Sequence, residues 1–193
     1  MSSNPLNPSR GKNVTIWPLA KLAYPENIVI GDESMIDDFA LLYASGEGIQ
    51  VGKFCHITAH CTLFAGGLIE MGDFSAIGPN GVILGSTDDY EGGGLIGLAV
   101  FGEEYRNTQM KGVKIGRHVH IGAGVVILPG VELGDGCSIG AGSVVTKSMP
   151  EWTICYGNPC VPRRRKPKEK QLQMEKEFLE KYKKGEETGK WGW

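Results

Sequence analysis

The 193-residue chain is short of the patterns that most often announce a function. Its five cysteines, spread from Cys55 to Cys160, form no CxxC pair and no metal-ligand spacing, so no zinc site is spelled out. A reduced, intracellular set of thiols is the simplest reading. No apolar run approaches the roughly 18 residues of a membrane span, and MSSNPLNPSRGKN lacks the charged start and apolar stretch of a secretory signal. A cytoplasmic protein is expected. The formal net charge of -2 gives no general reason to expect nucleic acid or a lipid surface as partner. There is no Ser/His/Asp set and no phosphate-binding loop, which leaves no evident nucleophile for a covalent enzyme intermediate. With 41% hydrophobic residues the chain can bury one sizeable core, and its length favours one domain with a tail.

What is present is a repeat. Over residues 115 to 145, IGRHVHIGAGVVILPGVELGDGCSIGAGSVV fits neither a helical nor a strand period, and its period is six. Ile115, Ile121, Ile127, Leu133, Ile139 and Val145 occupy successive sixth places, and Val119, Val125, Val131, Cys137 and Ser143 stand four residues after them. Glycine follows the aliphatic residue at Gly116, Gly122, Gly134 and Gly140, as a corner crowded against backbone requires. Each hexad is read as one short strand and one turn.

Upstream the same spacing recurs in triplets: Ile30, Ile36, Leu42; Val51, Ile57, Leu63; Met71, Ile77, Ile83. Three faces per coil follow. Extra residues fall only between triplets, about three before Val51, two before Met71 and some twenty-six before Ile115. A prism-shaped parallel β-helix accounts for this, because inward ladders must keep register while one surface corner can bulge. Ile16, Leu22 and Ile28 are candidates for an opening coil. Cys55, Cys61 and Cys137 fall on the small inward position, where packing explains them. His60 stands three after Ile57, at a turn, and should point outward. His118 holds the equivalent place on another corner, and His56 and His120 lie at strand positions; these three are expected at the surface or in subunit contacts, with His120 nearest a cofactor groove.

The hexapeptide pattern resembles that of the left-handed β-helix acyltransferases, over roughly residues 10 to 165. The resemblance implies an all-β, left-handed parallel β-helix, a homotrimer, and an acyl-coenzyme A groove between neighbouring prisms. The segment IGAGSVVTKSMPEWTICYGNPCVPRRRK is similar to the last coil and exit of the galactoside, maltose and nucleotide-sugar acetyltransferases. By that resemblance Ala123 and Ala141 face the pantetheine arm of acetyl-CoA, Thr146 and Lys147 sit by the adenine and phosphates, and Arg163 and Arg164 reach the phosphorylated ribose. The cationic stretch that begins at Arg163 and runs on to Lys170 suits a polyanionic donor, with a solvated tail as the alternative. No metal is implied.

The loop after Ile83 departs from the family. In galactoside-type enzymes a pattern like APNVTLSVTGHP carries a histidine that acts as general base, whereas here GPNGVILGSTDDYEG puts Asp88 or Asp89 in that place. TDDY resembles the branch that acetylates amino groups on nucleotide-linked deoxysugars, and by the same resemblance a role in lipopolysaccharide O-antigen biosynthesis. The departure is chemically coherent, because an alcohol needs a base whereas an amine needs only to lose its ammonium proton, which a carboxylate can hold and orient. His60 aligns with an active-site asparagine of the sugar O-acetyltransferases and is a candidate base or orienting group, or else an exposed corner residue. The expected catalytic set is His60, Asp88 and Asp89. The insertion from about 86 to 111, with Tyr90, Phe101 and Tyr105, is expected to close over sugar and base.

Residues 1–165 are therefore read as the β-helix domain and 166–193 as a charged helix and tail. Leu172, Phe178, Leu179 and Tyr182 form the helix's apolar stripe, and Gly185 ends it; the helix packs on the prism or a neighbouring subunit, or is detached. The terminal GKWGW has no assignment. The leading expectation is direct acetyl transfer from acetyl-CoA to the amine of a nucleotide-linked amino sugar. A sugar O-acetyltransferase using His60 and a non-catalytic β-helix assembly module are the alternatives.

Overall fold

Six-residue periodicity becomes a three-sided coil because each hexad spends two or three residues on a strand and the rest on a corner. The computed structural model describes residues 7–97 and 99–185. Three parallel sheets form the sides, and every coil contributes one strand to each. The first face carries Ile30, Val51, Met71, Ile115 and Leu133 in register, the second Ile16, Ile36, Ile57, Ile77, Ile121 and Ile139, and the third Leu22, Leu42, Leu63, Ile83, Ile127 and Val145. From Ile30 and Ile36 onward these ladders are buried and together form the core. Ile16 and Leu22 open the second and third ladders. Ile28, expected in that coil, instead shares a strand with Ile30 and pairs with Ile49, one coil further on.

The corners explain the glycines and the small inward residues. A side chain at Gly122 would bring its Cβ within 2.6 Å of the Ala141 backbone nitrogen, so stacked coils leave no room there. Third places of corners take left-handed backbone, at Phe54, Phe74 and His118 on the first-to-second corner and at Phe39, His60 and Asn80 on the second-to-third. Asp32, Asp73 and Asp135 each accept the backbone N–H of the preceding coil (Lys12, Lys53, Arg117) at 2.8 Å, which ties adjacent coils together. Ser75 donates to the Gly116 carbonyl and accepts from the Val119 N–H in the same interior position. Cys55 plays that part with its thiol on the Gly72 carbonyl, and burial pushes its pKa up to about 11. Cys55, Cys61 and Cys137 are all buried, as packing residues.

After the last coil, Thr153–Gly157 and Cys160–Arg165 form an antiparallel hairpin on the second sheet. The helix α1, Glu169–Lys183, then lies along the first-to-second corner, and Gly185 follows it with positive φ. Phe178 and Tyr182 meet Phe54 edge-on at 5.2 and 5.3 Å between ring centroids, and the Tyr182 hydroxyl donates to Glu33 at 2.7 Å. His118 is buried rather than at the surface, contrary to the sequence expectation. It stacks on Phe74 and its Nε2 lies 2.8 Å from Glu175 of α1, which also pairs with Arg117. The apolar stripe is thus centred on Phe178 and Tyr182, while Leu172 stays exposed. Phe178→Ala should cost about 1–3 kcal/mol, less than a full core aromatic because the site is half-buried. Amide exchange in α1 should accelerate while the coils stay protected; equal exchange would show that the aromatic ladder does not hold the helix. GKWGW lies outside the described residues.

Candidate active site

The long insertion leaves the third-to-first corner and is closed at its base by a two-strand antiparallel ladder, Ser86–Thr87 with Gln109–Met110. Within it the two neighbouring carboxylates diverge. Asp89 is buried, and its oxygens accept the N–H of Glu91 at 2.8 Å, the N–H of Gly93 at 2.6 Å and the Asn107 amide at 3.1 Å. It is the knot of the loop. Asp88 is half-buried and more loosely held: the Gly97 N–H is 3.0 Å away, Thr108 Oγ1 3.4 Å and Arg106 Nη2 3.5 Å. The last two contacts are at the outer limit of hydrogen bonding, so Asp88 keeps acceptor capacity for a ligand. Tyr90 and Tyr105 stand exposed on the same loop.

The backbone N–H groups of Glu91 and Gly93 with Asn107 hold the Asp89 pKa below the usual carboxylate range. A depressed folded value makes the tie fully present above the unfolded pKa, about 3.9, and loses it as pH falls through the folded one. Protection of the loop amides between 86 and 111, taken relative to their intrinsic exchange rates, should therefore be high at neutral pH and fall in acid below about pH 4, ahead of protection in the coils. A loop insensitive to that range would contradict the tie.

The remaining expected site residues lie on the second-to-third corner and at its foot. His60 is exposed in left-handed backbone and stacks on Phe39, with ring centroids 4.9 Å apart. Ala123 and Ala141 are exposed on the same corner two and three coils further along, and a side chain built on neighbouring Gly124 or Gly142 would meet none of the described residues within 4 Å. That edge is open for a long, narrow ligand such as a pantetheine arm. Thr146 and Lys147 follow the last third-face strand, both exposed. Arg163 lies over the Tyr156 ring at 4.8 Å, and Arg164 is exposed beside it. Lys166, counted in the same cationic stretch, turns inward instead: its Nζ donates to the Gly136 carbonyl and Ser138, and burial lowers its pKa. It is withdrawn from any donor phosphate.

His60 and the acidic loop sit at opposite edges of the third face. The strand Thr62–Gly66 runs from the His60 corner to the insertion corner, a span of about 10 Å or more at 3.3 Å per residue. Among the described residues the His60 ring meets Phe39 and no side chain of the loop. Sequence reasoning missed Arg106, Asn107 and Thr108 as partners of the carboxylates, because the insertion has no period to read. It also missed the Asp37–His56 pair on the second face, 3.0 Å apart, whose members are nineteen residues apart in sequence. Among the described residues no three His, Cys, Asp or Glu side chains gather as metal ligands.

The chain is thus a three-faced parallel β-helix, open along one corner and carrying a long acidic loop at another. The family model for bacterial transferase hexapeptide (six repeats) matches residues 112–147. Over 170 residues the chain is 34% identical to the dTDP-4-amino-4,6-dideoxy-D-glucose acyltransferase of Escherichia coli, covering 88% of each chain. It is 32% identical over 136 residues to the galactoside O-acetyltransferase of Lactococcus lactis, covering 70% of this chain and 62% of that one. The crystal structure of AntD, an N-acyltransferase from Bacillus cereus in complex with dTDP and 3-hydroxybutyryl-CoA, superposes with a TM-score of 0.83 at 35% identity, covering 90% of both chains. The chain belongs to the hexapeptide-repeat, left-handed β-helix acyltransferases.

Proposed function

We propose that the protein transfers an acetyl group from acetyl-CoA to the amine of a dTDP-linked amino deoxysugar. The observation that carries this is Asp88, a carboxylate with unspent acceptor capacity on the loop where the galactoside enzymes place a histidine, in a chain alike over most of its length to an E. coli enzyme named for a dTDP-amino sugar. Asp88 accepts a hydrogen bond from the substrate ammonium and fixes the nitrogen toward the thioester. The ammonium gives a proton to solvent or to His60, and the freed lone pair attacks the thioester carbonyl carbon. The tetrahedral intermediate collapses by breaking the carbon–sulfur bond, and the coenzyme A thiolate leaves with a proton from the now amide-forming nitrogen. Asp89 keeps the loop in shape for this step.

Assembly is part of the proposal. The loop at one corner and the open edge with His60, Ala123 and Ala141 at another come together when a second copy is set against the first, and a closed three-subunit ring gives every copy the same neighbour. Three sites per trimer follow, in the cytoplasm, where five unpaired cysteines fit a reducing environment. The product would serve O-antigen assembly.

The deciding experiment supplies acetyl-CoA and a panel of dTDP-linked amino and hydroxy sugars. An amide product stable to mild alkali is expected; an alkali-labile ester on a hydroxy sugar would favour the O-acetyltransferase reading, to which exposed His60 and the L. lactis relative lend support. No turnover and no coenzyme A binding would leave only an assembly module. For the donor, replacing Arg163 and Arg164 together by Ala should raise the acetyl-CoA KM about tenfold, as loss of charge-assisted bonds to a phosphate implies. Dephospho-coenzyme A should then compete as well as coenzyme A. An unchanged KM would remove both arginines from the donor site.

A further inference from the structure

Arg106 is placed oddly for a residue of a surface loop. Its side chain is 23% exposed, and among the described residues its buried Nε has no acceptor and its nearest anion, Asp88 Oδ1, is 3.5 Å from Nη2. A guanidinium has five donors in a fixed fork, and this one is largely unspent. Beside it opens a pocket of about 280 Å³ lined by Glu103, Arg106, Thr108 and Met110, with Glu103 exposed and able to turn to solvent. An under-used cation facing an open pocket, loosely paired with the carboxylate beside it, is a receptor waiting for a stronger anion.

We propose that Arg106 receives the diphosphate of the nucleotide sugar, and that the Asp88–Arg106 pair exchanges partners on binding. The inference rests on the reading of Asp88 as the ammonium holder. The substrate carries an anion and a cation separated by one sugar ring. Arg106 and Asp88 offer the opposite charges side by side. In the free protein each compensates the other, so neither stands as an isolated charge in a partly dry loop. When substrate arrives, the guanidinium turns its fork to the diphosphate, a bidentate acceptor far better matched than one oxygen at 3.5 Å. The carboxylate is then left to the ammonium. One weak pair becomes two good ones, and the amine is gripped only once the diphosphate is in place.

The exchange makes Asp88 a competitor of any diphosphate for Arg106. A nucleoside diphosphate without an amine should therefore bind more tightly when Asp88 is neutral, whereas the amino sugar should bind more weakly. The test is calorimetric titration of the full-length protein with dTDP and, separately, dTDP-4-amino-4,6-dideoxyglucose. Arg106→Gln should weaken dTDP about tenfold or more, with Arg106→Lys in between because a point charge replaces a fork. Asp88→Asn should tighten dTDP several-fold, and that gain should vanish in the Asp88→Asn, Arg106→Gln double variant. Coenzyme A titration checks that each variant is folded. Wild-type dTDP affinity in Arg106→Gln, or dTDP binding that is unchanged or weaker in Asp88→Asn, would overturn the exchange. Should Arg106→Gln also lose coenzyme A, the Asp88→Asn arm decides alone. Active wild-type enzyme on amino sugars with a failed exchange would sink this inference only; a wild-type protein that binds no dTDP would sink the proposed function itself.

Discussion

Asp88→Asn should lower turnover of the dTDP-amino sugar by about 10²-fold and leave coenzyme A affinity unchanged. A hydrogen bond to a charged group contributes about 1.5–3 kcal/mol, which is roughly ten- to a hundredfold in rate if it is made to the reacting amine. The rest comes from orientation, because an amine that is bound but not aimed attacks the thioester rarely. Asn can keep its oxygen on the Gly97 N–H, the one contact of ordinary length at 3.0 Å, and turn its amide toward the two long contacts at 3.4 and 3.5 Å, so the loop should keep its shape. Asp89→Asn should behave differently. Its Oδ2 accepts from both Gly93 N–H and the Asn107 amide, and an amide nitrogen there would set donor against donor. The expected result is a disordered loop, fast exchange over 86–111 and loss of affinity for both dTDP and the sugar. Asp88→Asn with wild-type turnover, or an Asp89→Asn protein that loses only turnover, would reverse the two roles.

Mixing two inactive variants should restore activity. Ala123→Trp fills the open edge where the acyl donor is expected, and Ala123 is exposed, so the larger side chain does not disturb the core. Asp88→Asn disables the loop of the same chain. If each site combines the loop of one copy with the edge of its neighbour, random exchange of equal amounts gives wild-type sites in about a quarter of cases, since each half is intact with a probability of about one half. Activity should climb from near zero to about that level after the subunits are dissociated and reassembled together. A mixture that stays inactive would mean that loop and edge belong to one chain, and would set aside the shared-site assembly. A fully active monomer in sedimentation would do the same.

The outcome of these experiments turns on features that differ in how far residues alone reveal them. The period of six is written in the chain because an inward ladder cannot miss a step: Ile57, Ile77 and Ile121 stack coil on coil, and a slip would bury a polar neighbour. The same strictness makes every insertion visible, so the loop after Ile83, its acidic start and the outward corner position of His60 are legible in the residues alone. The cysteines at inward places are legible for the same reason. Ile28 was misplaced because both Ile28 and Ile30 face inward on one strand, and alternation by two mimics the opening of another coil. His118 was misread because the partner that buries it, Glu175, is 57 residues away on a helix whose docking site no local pattern records. The division between Asp88 and Asp89 is the sharpest case. In a chain they are the same group one residue apart, and the backbone N–H groups of Glu91 and Gly93 converge on one and leave the other facing Arg106. Local repetition sets the coils, since each residue meets its counterpart a fixed number of places away. A non-repeating loop takes its hydrogen bonds from wherever the backbone happens to turn, and so the chemistry of its carboxylates is settled only once the chain has folded.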